Sequence, residues 1–575
     1  MGIVKIREMM YLCSPKMNVM ARLKYNFTWK KYHRWLGLVL SVFMLVFSVS
    51  GIILNHREVF SGCEVSRKWL PASYHIKNFN NGVVKGTVVK KSAAHSLSSE
   101  NCDSVLAYGC AGVFLTDSRL STWQDFNAGL PESIDERNVR HVVKAKDGSL
   151  WCAALRDVYR YDENSHRWKK VELPGNEERI MDVALAKDSM TVVALTRSRL
   201  FTIVPFVQYG EIVKIGKSSS ETYRVESKII PAPKKYEPKT TLFKLVWHLH
   251  SGEFFGLPGK LVVDAIALVL IVLSITGILL FILPYGIRRA KKLAAKARMK
   301  RLGKQFAWNM KWHNKIGYVT IVLTLWIAIT GMCLRPPLMV PLVLSKLPQA
   351  MGEDGNVWQD KLRAIRWDAV QGDWLISTSE GFLRVDEDFS QAPKMLPDDE
   401  CPKLSPMGVT VWESDGKGGW IVGSFRGIYR WNPVNHSLNQ ILDYFTGKPS
   451  EETSMIPISD NLVCGYSEDF LGGKPLVFDF AKGVEDAKGQ AVALCNDEPK
   501  ISRNEESMSD LICETAPMSL WNVALELHVG RCYSPFLGPL SDLFVFLSGL
   551  LITLVLLSGY IISHRRRKKA QARLK

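Results

Sequence analysis

Seven of the twelve histidines, His33, His56, His248, His250, His313, His528 and His564, stand at or near the ends of four apolar runs, and the long segments between those runs hold only five. Imidazole is a common metal ligand and titrates near neutrality. Within a membrane it is costly and faces a bundle interior or a site, whereas at the interface it can simply anchor among headgroups. For a lone histidine the anchor is the ordinary reading. Register changes this: His33-Arg-Trp-Leu-Gly37 aligns without a gap with His313-Asn-Lys-Ile-Gly317, and Ser50-Gly51 aligns with Thr330-Gly331 at the same offset. Leu249-His250-Ser-Gly252 aligns with Leu527-His528-Val-Gly530, and Asp264 and Asp542 each follow their histidine by fourteen residues.

The elements that must position these residues are membrane helices. Apolar runs long enough for about 30 Å of hydrocarbon occur near Trp35–Leu54, Leu261–Leu283, Ile316–Leu334 and Leu543–Ile562. The first follows Lys24, Lys30, Lys31 and Arg34 and lacks a small-residue cleavage site, so it reads as an uncleaved anchor. Basic residues also fill Arg288 to Lys304 and Arg565 to Lys569; the positive-inside rule then predicts a bacterial inner-membrane protein with both termini and the central linker cytoplasmic. The expected order is an arm and first span (1–56), an outer segment (57–244), the second span (245–287), a basic linker (288–312), the third span (313–335), an outer segment (336–520), the fourth span (521–564) and a basic tail (565–575). Two tandem two-helix repeats of the same orientation are related by an axis along the membrane normal, so equivalent residues face one another across it.

On that axis His33 meets His313 near the cytoplasmic face, and His250 meets His528 near the outer face. Two facing imidazoles suit a non-covalent b-type haem, one nitrogen lone pair entering each axial position, which predicts one bis-histidine haem b per leaflet. Gly37, Gly51, Gly317 and Gly331 allow close approach, although membrane helices use glycine for packing alone. His56 has no counterpart, since the second half carries Pro336 there; it is read as an alternative outer ligand, a propionate partner or an interfacial anchor. His248 and His564 are likewise unpaired and read as interfacial. Arg57, Arg335 and Arg531 stand where propionates could point, but charges at span ends are ordinary. Asp264 and Asp542 are either a proton or ion site or helix-pairing residues.

Both outer segments carry a turn, a tryptophan strand and a second strand: Asp147-Gly-Ser-Leu-Trp151 before Val158-Tyr-Arg-Tyr-Asp162, Gly372-Asp-Trp374 before Phe382-Leu-Arg-Val-Asp386, and Gly418-Gly-Trp420 before Ile428-Tyr-Arg-Trp431. Units about 40 residues long with short strands and glycine turns mark propeller blades. Three are expected per half, near Ser104–Leu130, Val139–Pro174, Arg179–Pro205, Lys361–Pro397, Gly408–Tyr444 and Met455–Gly483. Three blades alone would leave open edges, so one six- or seven-bladed all-β disc built from both halves is expected, with two separate sandwiches as the alternative. Its tryptophans read as blade core, and its face as a binding or docking surface.

The net charge of +18 is concentrated beside the spans, which indicates anionic lipid rather than nucleic acid, since no recognition motif accompanies it. The eleven cysteines lack the Cys-x-x-Cys-His pattern of covalent haem and paired zinc spacing; Cys495 with Cys513, or Cys102 with Cys110, are candidate disulfides outside the cytoplasm. No glycine-rich nucleotide fingerprint precedes a helix, so electrons would come from quinol or a separate reductase.

The segments His33-x-x-Leu-Gly37 through Ser50-Gly51, and Leu249-His250 through Thr276-Gly277, resemble the PepSY-associated transmembrane family, and the second half repeats both. The resemblance covers the four spans and their flanks, about a third of the chain, and leaves out the outer segments. It implies a place among inner-membrane reductases for ferric siderophores, which carry b-type haem between helices and reduce ferric iron on the periplasmic side; propeller-like repeats stand here where other members place PepSY domains. The expected activity is therefore electron transfer from the cytoplasmic-side pair to the outer pair and on to ferric iron in a siderophore or other chelate. A non-redox sensor or assembly factor with a ligand-binding outer domain is the first alternative, and a proton-coupled transporter using Asp264 and Asp542 the second.

Overall fold

The computed structural model describes residues 15–574 apart from 91–103, 118–121, 206, 209–210, 213–222, 350–354, 405–407, 426, 441–461, 471–472, 487–511 and 513–515. The chain divides into two compact units: a helical one, comprising the residues up to Phe60, Lys239–Leu347 and Trp521–Lys575, and a strand-rich one, Ser61–Pro238 with Pro348–Leu520. The crossings at Phe60, Lys239 and Leu347 all fall a little inside the expected outer segments, so the helical unit takes in a few residues at their ends. The reason is local: Lys239–Thr241 pairs as a short strand with Lys346–Pro348.

The helical unit is built from α1 (Pro15–Asn55), α2 (Leu242–Ser251), α3 (Gly256–Lys292), α4 (Lys296–Val319), α5 (Ile321–Cys333), α6 (Leu520–His528, from Trp521 on) and α7 (Ser541–Leu574). Among the described residues three stretches, Trp29–Asn55, Glu253–Lys292 and Arg531–Arg573, are long and apolar enough to cross a membrane. The expected third span is not one straight helix: α4 and α5 meet at a 68° bend, and the pair is long and apolar enough for a crossing only when taken as one span. At the bend Thr320 Oγ1 donates to the Ile316 carbonyl at 2.9 Å, and Thr324 Oγ1 donates to the Thr320 carbonyl at 3.1 Å. Hydroxyl back-bonding of this kind loosens the backbone ladder and bends helices.

Helix α1 packs along α3, α3 along α4, and α7 against α5, α4 and α1. Leu40, Met44, Ile266, Leu270, Ile552, Val555 and Leu556 bury an apolar layer at the middle of this bundle. Many other apolar side chains face outward, among them Val39, Leu268, Val322 and Leu550, as lipid contact requires.

Among the described residues, the strand-rich unit has six antiparallel sheets of three or four strands, each running in chain order: Gly86–Asp125, His141–Val171, Ile180–Lys228, Leu362–Met395, Val411–Gln440 and Val463–Asp486. The first strand of each sheet adjoins the first strand of the next, and that of the last adjoins that of the first; between the fourth and fifth the link is Arg366 Nε donating to the Trp412 carbonyl at 2.9 Å. Apolar clusters sit between neighbouring sheets, such as Tyr108 with Val142 and Tyr159, or Ala364 and Phe382 with Trp412 and Trp431. Each sheet buries both faces, which accounts for strands such as Val192–Thr196, buried throughout. The repeated turn glycines, Gly148 and Gly372, have φ of 85° and 69°, a left-handed geometry that side chains resist.

Three sheets extend beyond the ranges expected from sequence, the sixth by its last strand, Gly483–Asp486. The first begins at Gly86, and the third gains Tyr223–Lys228, paired along Leu200–Pro205. That added strand has no buried residue, so it lacks the apolar alternation by which a strand is recognised. Of the candidate disulfides, Cys102, Cys495 and Cys513 lie outside the described residues; Cys110 is a free thiol 3.4 Å from the Asn81 carbonyl.

Candidate functional site

The helical unit brings the repeated histidines together in two layers. His33 of α1 and His313 of α4 have ring centroids 6.4 Å apart, and His250 of α2 and His528 of α6 have theirs 6.1 Å apart. Eighteen residues separate His33 from Gly51, which touches His528. At about 1.5 Å per residue that is about 27 Å, so the layers lie near opposite edges of a hydrocarbon core about 30 Å thick.

Each imidazole is seated on a neighbouring helix by the same device, a hydroxyl residue followed by glycine. The Nδ1 atoms of His33, His313, His250 and His528 lie 2.9, 2.9, 3.0 and 2.9 Å from the hydroxyls of Ser558, Thr276, Thr330 and Ser50. The adjoining glycines Gly559, Gly277, Gly331 and Gly51 face the corresponding ring carbons. A methyl group at Gly331 would come within 2.8 Å of His250, and one at Gly559 within 2.9 Å of His33.

These hydroxyls determine the tautomer. Each donates its single proton to a carbonyl in its own helix: Ser558 to Val555, Thr276 to Val272, Thr330 to Trp326 and Ser50 to Val46, at 2.6 to 2.8 Å. The oxygen can then only accept, so Nδ1 must carry a hydrogen and Nε2 keeps its lone pair. For His33 a second acceptor, the Val555 carbonyl at 3.1 Å, requires the same assignment. Fixing one ring N–H so that the other nitrogen faces a metal is how proteins orient metal-binding histidines.

The spacing fits an axially shared metal. A ligating imidazole nitrogen sits about 2 Å from its metal and the ring centroid about 1 Å further, so two rings on one axis have centroids about 6 Å apart. Among the described residues no three His, Cys, Asp or Glu gather to hold a bare ion. The two Nε2 atoms of each pair could hold one metal between them, the axial arrangement by which b-type haem is bound.

The remaining histidines lie elsewhere. His56 Nε2 sits 2.7 Å from Asp264 Oδ2, and Asn55 Nδ2 donates to Asp264 Oδ1 at 3.0 Å, so Asp264 pairs two helices at this end of the bundle. Asp542 meets Arg335 at 3.4 Å instead, because the repeat has proline where the first half has His56. His248 lies beside Trp247, and His564 stacks on Tyr318 and Tyr560. Arg57 lies over the Trp521 ring at 3.9 Å, and Arg531 pairs with Glu526.

Sequence reasoning missed Ser558 and Gly559. Gly277 follows Asp264 by thirteen residues but Gly559 follows Asp542 by seventeen. The two halves slip by four residues, about one helical turn, which preserves the face while breaking a gapless alignment. The signal that could have found them is the fourfold Ser/Thr-Gly pair.

Residues 17–283 and 281–567 each match the model of the PepSY-associated TM region. The chain is therefore a membrane protein that belongs to the PepSY-associated TM family and carries two copies of its region in tandem. No curated protein matches it. Among solved structures it is similar to two extracellular domains of B. thetaiotaomicron, described as parts of a hybrid two component system and of a one component system. Identities are 11% and 9%, TM-scores 0.31 and 0.29, and coverage 70% and 71% of this chain. The chain spans only 32% and 39% of the length of those chains.

Proposed function

We propose that the chain is a bacterial inner-membrane b-type haem protein that passes electrons across the bilayer to an acceptor outside the cytoplasm, ferric iron in a siderophore or other chelate. The observation that carries the reading is the doubled arrangement of imidazole pairs about 6 Å apart, every Nδ1 committed to a hydroxyl and every Nε2 left with a free lone pair. His33 and His313 would hold one haem, His250 and His528 the other. Bound haem b supplies one-electron redox chemistry.

The protein's own contribution is positional. Ser558, Thr276, Thr330 and Ser50 hold the rings in one tautomer, the four glycines let neighbouring backbone approach, and the apolar layer around Leu40, Ile266 and Val555 excludes water between the two sites. Ferrous iron is softer than ferric and is released more readily by hard oxygen ligands, which gives reduction of a chelate its purpose. Quinol or a separate reductase is the donor in this reading. Basic residues beside the spans support cytoplasmic termini by the positive-inside rule, and in this reading the six cyclically adjoining sheets are blades of one propeller on the other side.

The test is a visible spectrum of detergent-solubilised protein with and without dithionite, repeated for His313→Ala and His528→Ala. The expected result is two b-type haems per chain and loss of one from each variant. A protein purified with no Soret absorbance after haem supplementation would end the redox reading.

A further inference from the structure

The strand-rich unit has a cleft of about 350 Å³ among its second, third and fourth sheets, lined by His141, Lys187, Ser189, Arg366, Trp367 and Ala369 with small aliphatic neighbours. Among the described residues no carboxylate lines it. Asp182 sits behind the wall, accepting from Arg366 Nη1 at 2.6 Å and lying 3.2 Å from His141 Nδ1. Arg366 also gives Nε to the Trp412 carbonyl, and its Nη2 lies 3.4 Å from His141 Nε2. His141 Nδ1 donates to the Val183 carbonyl at 2.7 Å, so Nε2 is an acceptor and takes one Nη2 hydrogen. A guanidinium has five N–H groups, and these contacts, with the Ile365 carbonyl at 2.6 Å, use four.

At the rim Lys187 is 65% exposed, its ammonium 3.4 Å from the exposed Glu387. The ionisable lining groups, His141, Lys187 and Arg366, are thus hydrogen-bond donors or bases, with Asp182 and Glu387 already beside Arg366 and Lys187, so what they offer an anion is charge-assisted hydrogen bonding rather than a net positive field. The lining also has apolar groups: Trp367, braced edge-on by Trp374 at 5.1 Å, with Ala184, Ala186 and Ala369. The volume lies in the range of small-molecule pockets, about 300–1,000 Å³, and is several times what an inorganic ion fills.

We propose that this cleft binds an organic carboxylate, its head between Lys187 and Arg366 and its apolar body against Trp367. Arg366 is already oriented by Asp182, His141 and the Trp412 carbonyl, so the head meets a donor that needs no ordering on binding. The site stands apart from the redox reading, because nothing in it depends on haem.

The test is calorimetric titration of the full-length protein in detergent with 4-phenylbutyrate, with 4-phenylbutylamine, which has a similar body and the opposite charge, and with inorganic phosphate. Lys187→Glu and Ala369→Phe serve as variants, both positions being exposed and outside the sheet cores. Saturable binding of one carboxylate per chain is expected, with no binding of the amine. Lys187→Glu should weaken it about ten-fold, as loss of a charge-assisted contact does, and Ala369→Phe should abolish it by filling the cleft. No saturable carboxylate binding at millimolar concentration, equal binding of the amine, or affinity unchanged in both variants would overturn the proposal. Phosphate binding as tight as the carboxylate and indifferent to Ala369→Phe would overturn the organic body.

Discussion

The Nδ1 atom of His250 lies 3.0 Å from Oγ1 of Thr330, whose own proton goes to the Trp326 carbonyl at 2.8 Å. Replacing Thr330 with valine keeps the shape and removes the acceptor that fixes the ring. Losing such an orienting partner costs about 10- to 100-fold in metal affinity. If haem is bound as proposed, Thr330→Val should hold the one between His250 and His528 about that much more weakly and leave the one between His33 and His313 unaffected, as read by haem titration of the stripped protein.

Glycine contacts divide the two seats of each layer into a tight one, at Gly331 and Gly559, and a looser one, at Gly51 and Gly277. A Cβ at Gly331 would stand 2.8 Å from His250, whereas one at Gly277 would stand 3.6 Å from His313, an ordinary contact. Gly331→Ala should displace His250 and lose the outer haem's low-spin bis-histidine spectrum. Gly277→Ala should retain both spectra. Equal behaviour of the two variants in absorbance and electron paramagnetic resonance would contradict this account.

His56 is committed to Asp264 at 2.7 Å. His56→Ala should keep both haems, and the pyridine haemochrome content should match that of the unsubstituted protein. A drop by one equivalent would make His56 a ligand.

In the strand-rich unit, burial opposes ionisation of Asp182, but the Arg366 guanidinium and the His141 ring outweigh it and hold the carboxyl below its ordinary 3.8. A depressed carboxyl stabilises the fold above its unfolded value and loses that contribution as pH falls through the folded one. Glu413, which burial pushes up from 4.5, has the opposite sign and acts above that value, so the two windows are distinct. Asp182→Asn leaves Arg366 buried without its counter-charge and should destabilise the unit by about 3–5 kcal/mol. Denaturant unfolding followed by tryptophan fluorescence, from neutral pH down to acid, checks both statements.

Lys85 is lowered to about 8 by burial, with Arg140 adding to the effect. The folded state then prefers the neutral amine while the unfolded chain stays charged up to about 10.5, so stability should rise as pH climbs through that interval. Lys85→Met should flatten the slope in the same unfolding measurement.

The amino-acid order alone determined the apolar runs, the charge bias beside them and the recurrence of His33 at His313 and of His250 at His528, because span length, flanking charge and register are properties of chain position. It also carried the tryptophan strands, since Trp151, Trp374 and Trp420 follow turns that only glycine makes easily. Tertiary structure alone decided what depends on contact between distant segments. It placed Ser558 on His33 across 525 residues, set His56 on Asp264, and drew Arg366 of the second half to Asp182 of the first. Hydrogen bonds and ion pairs form where helices and sheets bring side chains within about 3 Å, and a four-residue slip that conceals a partner in the alignment leaves it on the same helix face.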